Sequence, residues 1–176
     1  MPLINIYKCS KCQKVLHEGW GGYQYVENED GERVCCPHPI EDYTICDVLH
    51  ITPDEFLAIS PPSYMTQTEL VVRKLVTWWW SWARMARMKK LVDTRTGFNS
   101  NCICKVCLRD SCLDIGDAES SDKSWRWYYK ATLRKDERKC PHCRSHEIAT
   151  VMELVGSDCP FCKQGCIVEI STGAIS

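Results

Sequence analysis

Apolar and polar positions alternate through Gly19-Trp20-Gly21-Gly22-Tyr23-Gln24-Tyr25-Val26, and Asp30-Gly31 follows. That order predicts a strand, a tight turn and a second strand. Thr52-Pro53-Asp54-Glu55 then places an N-cap residue, a proline at the first helical position and a glutamate at the third, a local start signal for a helix. Ser60-Pro61-Pro62 stops it. From about Thr66 to Thr94 the spacing becomes helical, with no internal Gly or Pro. Val71, Leu75, Trp78, Trp82 and Met85 form one stripe, joined by Val72, Trp79 and Ala86. Trp80 falls on the far side with Val76 and Ala83, so the segment is apolar nearly all round between Leu75 and Ala83. Such a helix would run about 40 Å. Its last turn is basic (Lys89, Lys90, Arg95), as the helix dipole favours, and Gly97 is a plausible stop. Further on, Trp125 to Tyr129 fits helix or strand equally, whereas Glu147 to Val155 and Cys166 to Ile170 read as strands.

Composition changes this picture through one residue type. The 176-residue chain has an ordinary globular balance, with 44% apolar and 26% charged residues, but it holds fourteen cysteines. Met1 to Lys8 carry no basic leader with an apolar core, and no later stretch approaches the length of apolar run that spans a membrane. The expected compartment is therefore the cytoplasm, where thiols stay reduced and cysteines are better read as metal ligands than as disulfides.

Four CxxC pairs stand out: Cys9/Cys12, Cys104/Cys107, Cys140/Cys143 and Cys159/Cys162. Two thiolates three residues apart on a tight turn can face one ion, and two such turns complete a tetrahedral site. The first pair faces Cys35-Cys36-Pro37-His38, which suggests a site of Cys9, Cys12, Cys36 and His38, with Cys35 as the competing ligand. In the second half two pairings compete. Cys104/Cys107 with Cys140/Cys143 is preferred; Cys159/Cys162 would then draw on Cys102, Cys112, His146 or Cys166. The alternative joins Cys140/Cys143 to Cys159/Cys162 and leaves Cys102, Cys104, Cys107 and Cys112 as a local set. His17 and His50 are read as surface or core histidines, and Cys46 as a buried apolar residue. Two to three Zn2+ ions are expected; a single iron in a four-sulfur site, as in a rubredoxin-like electron carrier, is the competing metal.

The stretches Cys9 to Cys12, Glu18 to Tyr23, Tyr25-Val26, Cys36 to Pro39, Arg95 to Ser100, Glu137 to Cys143 and Cys159 to Gly165 resemble a group of uncharacterised prokaryotic multi-zinc-ribbon proteins. The resemblance implies metal-binding ribbons and brings no activity. It does not extend to the tryptophan-rich segment, and Cys35 and Cys112 depart from its pattern.

The fold expected from these signals is α+β. Small zinc-ribbon or rubredoxin-knuckle β modules stand at both ends, joined by a long amphipathic helix, with parts at 1–50, 51–97 and 98–176. The net charge of −1 is unevenly laid out, acidic before residue 56, basic over 56–95 and balanced after it. No nucleophile with a base, paired carboxylates or phosphate-cradling loop is recognisable, so a non-enzymatic role is expected. The leading expectation is a structural or adaptor protein that meets a protein partner through Trp78, Trp79, Trp80 and Trp82. Nucleic-acid binding is second, drawing on Trp125, Trp127, Tyr128 and Tyr129 beside Arg126, Lys130 and Arg134. A membrane surface is disfavoured because the charges of the tryptophan helix are not confined to one face.

Overall fold

The computed structural model describes residues 4–59, 82–115 and 135–172. Among these residues there are eight strands: β1 (Ile4–Cys9), β2 (Val15–Gly19), β3 (Gly22–Glu27), β4 (Arg33–Cys36), β5 (Thr96–Cys104), β6 (Asp110–Leu113), β7 (Ile148–Thr150) and β8 (Ile167–Thr172). Three helices accompany them: α1 (Glu41–Leu49), α2 (Pro53–Ile59) and α3 (Trp82–Arg95). None of the helices among the described residues is long and apolar enough to cross a membrane. The chain divides into two units. One comprises Met1–Tyr23, Phe98–Ser120 and Arg134–Ser176; the other comprises Gln24–Gly97 and Ser121–Leu133.

The first unit is built from two strand triplets. In one, β1 lies between β2 and β8, antiparallel to both, with Cys9 opposite Ile167. In the other, β5 pairs antiparallel with β6 and with β7, and Cys104 stands opposite Ile148. Side chains alternate across a strand, so the unbroken burial of Cys102, Ile103 and Cys104 requires cover on both faces. Two apolar clusters supply it. Ile103 and Ala149 join Tyr7, Cys9, Val151, Leu154, Cys159 and Ile167. Their strand neighbours Cys102, Cys104 and Ile148 join Ile115 and Cys140 instead.

The second unit contains the β3–β4 hairpin and the three helices. Val26 faces Val34 across the hairpin, and the Arg33 guanidinium lies 4.5 Å from the Tyr25 ring centroid. The turn is closed by Asn28, whose side-chain Oδ1 accepts from the Glu32 N–H at 2.8 Å; Gly31 takes the positive φ of 81° that the turn requires. Helix α2 starts as its sequence dictates. The Glu55 carboxylate accepts from the Thr52 N–H at 2.9 Å, and the Thr52 hydroxyl accepts from the Glu55 N–H at 3.3 Å, a reciprocal capping box. Arg84 of α3 forms an ion pair with the same glutamate. Val26, Cys36, Ile45, Cys46, Leu49, Phe56 and Val92 make this unit's core, so α3 inserts Val92 while Arg84, Arg87, Lys89 and Lys90 remain in water.

The expected α+β architecture needs correction. The described residues are mostly β with three short helices, and among them no long amphipathic helix joins two modules. Helix α3, as described, has fourteen residues and packs on its own unit through Val92 and Leu91. The two chain ends do not form separate modules either, because β1 and β8 pair along their whole length. Local periodicity supplied the helix expectation, and it carries no information about which strands pair over long separations. Trp78, Trp79 and Trp80, the Ser60-Pro61-Pro62 stop and the Trp125 to Tyr129 segment lie outside the described residues.

Candidate metal centres

All four CxxC segments adopt one backbone plan. The residue after the second cysteine is left-handed in each: Gln13 (φ 58°), Leu108 (φ 59°), Arg144 (φ 60°) and Lys163 (φ 56°). None is glycine, and such a conformation is uncommon for other residues. Its recurrence reflects closure of the knuckle. The first cysteine's N–H donates to the carbonyl of Lys14, Arg109, Ser145 or Gly165, at 2.7 to 3.0 Å. In the last three knuckles the left-handed residue's N–H also returns to the first cysteine's carbonyl at 2.9 to 3.0 Å. Amides of Lys11 and Cys12 point at the Cys9 sulfur, each 3.4 Å away. Such N–H donors favour the thiolate form that a metal needs.

The knuckles meet in two sets of four. Cys9, Cys12, Cys159 and Cys162 form one; Cys104, Cys107, Cys140 and Cys143 form the other, and within each set the sulfurs lie within 4.8 Å of one another. Cys9 Sγ is 3.6 Å from Cys162 Sγ, and Cys12 Sγ is 4.0 Å from Cys159 Sγ. In the second set Cys104 to Cys143 is 3.5 Å and Cys107 to Cys140 is 3.6 Å. Four sulfurs about 2.3 Å from a central zinc would be separated by about 3.8 Å, so both cages fit a tetrahedral ion. The first cysteine of every knuckle is buried and the second lies nearer the surface, Cys12 and Cys143 being exposed.

The thiols respond strongly to this crowding. Burial pushes the Cys140 thiol up, but the N–H groups of Cys143 and His142 outweigh it and bring it down to about 6. The Ser145 N–H pulls Cys143 down, yet burial and the three neighbouring sulfurs push it up to about 12. In the other cage the Gln164 N–H leads in bringing Cys162 to about 6. Cys12 is pulled down by the Lys14 N–H, but its neighbouring thiols and burial push it up to about 11. For Cys9, burial opposes and the Cys12 and Lys11 amides prevail, so its thiol is lowered. Each cage thus titrates as a set, keeping protons on some sulfurs while holding others ionised. An entering cation would expel the remaining protons.

The two cages repeat one construction. A hairpin carries the first knuckle: β1 ends at Cys9 and β2 begins three residues after Cys12; β5 ends at Cys104 and β6 begins three residues after Cys107. A strand follows the second knuckle by five residues in both, Ile148 after Cys143 and Ile167 after Cys162. The link between them is also repeated, with Ser10 N–H to Cys166 O at 2.9 Å and Lys105 N–H to Glu147 O at 2.7 Å. The sets are nested: the outermost knuckles form an outer ribbon, and the two middle ones form an inner ribbon. At Gly165 a Cβ would stand 2.9 Å from the Lys11 amide nitrogen and 3.0 Å from Cys9 Sγ, so the outer knuckles approach too closely for any side chain there.

The inner set is the pairing preferred from the sequence. The outer set is not: Cys9 and Cys12 are completed by Cys159 and Cys162 instead of Cys36 and His38. Cys36 lies in the core of the helical unit, where burial above all pushes its thiol up to about 12. His38 Nδ1 meets Glu41 Oε1 at 2.7 Å. Cys46 is buried beside Cys36 in the same core, and Cys35 is exposed on β4. Cys102 directs its thiol to the Ser100 carbonyl, and Cys112 to Asn101 Oδ1. His17 is half-buried, with Nε2 2.9 Å from Asn101 Nδ2. A signal for the correct pairing did exist. Cys140-Pro141-His142-Cys143 and Cys159-Pro160-Phe161-Cys162 share a proline that the other two knuckles lack, and each cage takes one knuckle of each kind. Trp82 is the first described residue of α3, while Trp78, Trp79 and Trp80 lie outside the described residues.

The chain matches no family model, no curated protein and no solved structure.

Proposed function

We propose that this chain is a two-zinc protein whose metal centres are structural, and that it acts as an adaptor holding a partner-binding surface in shape. The observation that carries the reading is the pair of closed four-thiol cages built to one plan. Catalytic zinc keeps a position open for water or substrate, usually with three protein ligands, whereas each cage here supplies all four. A strand triplet this small buries little apolar surface, and a structural ion contributes on the order of 10 kcal/mol to folding such a module. Zinc is preferred over iron as the usual occupant of closed four-cysteine sites.

Elemental analysis of the purified chain tests the metal: two zinc ions per chain are expected. Iron with strong visible absorbance would replace this reading with an electron carrier. One ion or none would reject the two-site account. For the adaptor role, the tryptophan cluster Trp78, Trp79, Trp80 and Trp82 is the proposed partner contact. Trp79→Ala with Trp80→Ala should release co-purifying protein while both metals stay bound; retention of every partner would reject that contact.

A further inference from the structure

We infer that the knuckle tip of the inner ribbon is a second docking site, for a protein segment that offers an aliphatic side chain flanked by carboxylates. The repeated construction supplies an internal control. Cys9-Ser10-Lys11-Cys12-Gln13-Lys14 and Cys104-Lys105-Val106-Cys107-Leu108-Arg109 share the left-handed residue and the closing bond from the first cysteine's N–H to the carbonyl five residues on, so Lys11 corresponds to Val106 and Gln13 to Leu108. The outer ribbon fills these positions with polar side chains exposed to water. The inner ribbon fills them with Val106, 62% exposed, and Leu108, 38% exposed. Knuckle geometry therefore does not demand apolar residues there. Single exposed apolar residues need no explanation, but two on one tight turn, where the sister turn is polar, form a local apolar tip.

The surroundings indicate the partner's chemistry. Arg109 follows Leu108, and Arg144 occupies the equivalent left-handed position of the facing knuckle; both are exposed, and neither has an ion-pair partner among the described residues. His142 Nε2 lies 3.3 Å from the Asp110 carbonyl, so the two loops carrying these arginines are held side by side. A loaded four-thiolate zinc centre carries a formal charge of about −2, and Asp110 and Glu147 add carboxylates nearby. The charge of the centre sits on sulfurs that accept backbone N–H groups, whereas the guanidinium forks face water and suit carboxylates with two parallel hydrogen bonds. A nucleic acid fits less well, because the only aromatic ring carried by these two knuckles is the imidazole of His142, which is engaged with the Asp110 carbonyl.

The inference rests on the adaptor reading, and metal content separates the two. The probe is a phage-displayed library of random dodecapeptides, panned on the full-length zinc-loaded chain. A variant carrying Val106→Lys and Leu108→Gln, the side chains of the outer ribbon, is the counter-target. Enriched peptides should hold Leu, Ile or Val beside Asp or Glu, and should bind that variant at least about tenfold more weakly, with two zinc ions retained by both proteins. Arg109→Glu with Arg144→Glu should weaken the same peptides by a similar factor while leaving the apolar pair in place. Equal binding to the parent and both variants would overturn the inference, as would enrichment of peptides lacking carboxylates. Retention of a thymidine oligonucleotide by the parent and its release from the first variant would overturn it in favour of nucleic acid. A parent chain that holds no metal would reject the adaptor reading, whereas a loaded chain that enriches no such peptide rejects this site alone.

Discussion

At the scale of single residues, the cages show how little of a knuckle is written in its cysteines. Spacing alone announces CxxC, but nothing about Gln13, Leu108, Arg144 or Lys163 signals a left-handed backbone. That conformation is imposed by the turn that brings both sulfurs to one side. A branched Cβ makes it costlier, so Lys163→Val should weaken the outer ribbon by about 1–2 kcal/mol, whereas Lys163→Gly should be close to neutral. Chelator competition reads the difference as roughly a tenfold loss of affinity at one of the two sites. The thiols make a second prediction. At neutral pH Cys12 and Cys143, pushed up to about 11 and 12, still hold protons that metal must displace, while Cys140 and Cys162, near 6, hold few. Below about pH 6 those two sulfurs regain protons as well, so each ion must expel more of them. Metal affinity should fall as pH falls, and more steeply below pH 6 than above it. A pH series of metal retention in the presence of a fixed chelator checks this, and a flat profile from pH 8 to 5 would contradict it.

Among the secondary-structure elements, what the sequence made readable was local and what it concealed was non-local. The capping box of α2 was readable because Thr52 and Glu55 act on each other's backbone within four residues. The β3–β4 hairpin was readable for the same reason, through the Asp30-Gly31 turn, although the Asn28 side chain that closes it was not singled out. Helix α3 shows the opposite. Its apolar spacing describes a face, but only packing by Val92 and Leu91 on their own unit decides what that face meets. The capping box supports a quantitative expectation. The Thr52 N–H leads the interactions that hold the Glu55 carboxyl below the usual carboxylate range, and Arg84 assists. A carboxylate depressed in the folded state contributes stability that is present above its unfolded pKa and lost as pH falls through the folded value. Glu55→Gln should therefore cost about 1 kcal/mol at neutral pH, a typical worth for a helix cap. The deficit should shrink as the pH falls through the lowered folded-state value of Glu55, where the parent becomes protonated too. Denaturant unfolding of both proteins at several pH values measures it; a deficit that grew in acid would reverse the assignment.

For the whole molecule, the decisive contact joins the two ends of the chain. Cys9 and Cys162 are separated by 153 residues, yet their sulfurs lie 3.6 Å apart, because β1 pairs with β8 in a register that sets Cys9 opposite Ile167. Cysteine spacing could not reveal this partner. Cys36 and His38 stood nearer in sequence, and only strand pairing carries the last knuckle to the first. Nesting also makes the two ribbons unequal. The inner cage packs on Cys102, Ile115 and Ile148, which all belong to its own part of the chain. The outer cage shares a cluster with Ile103, Ala149 and Val151, which the inner ribbon's β5 and β7 and the residue after them supply from their opposite face. Loss of the inner ion should therefore unsettle both cages, and loss of the outer ion only one. Cys159→Ser with Cys162→Ser should leave one metal per chain, bound nearly as tightly as before. Cys140→Ser with Cys143→Ser should release its own ion and lower the affinity of the remaining cage by at least about tenfold, since Ala149 and Val151 lose the anchor that fixes β7. Metal content under graded chelator resolves the two cases. Equal retention of one ion by both variants would show that the ribbons hold their metals independently and that the shared strands transmit nothing between them.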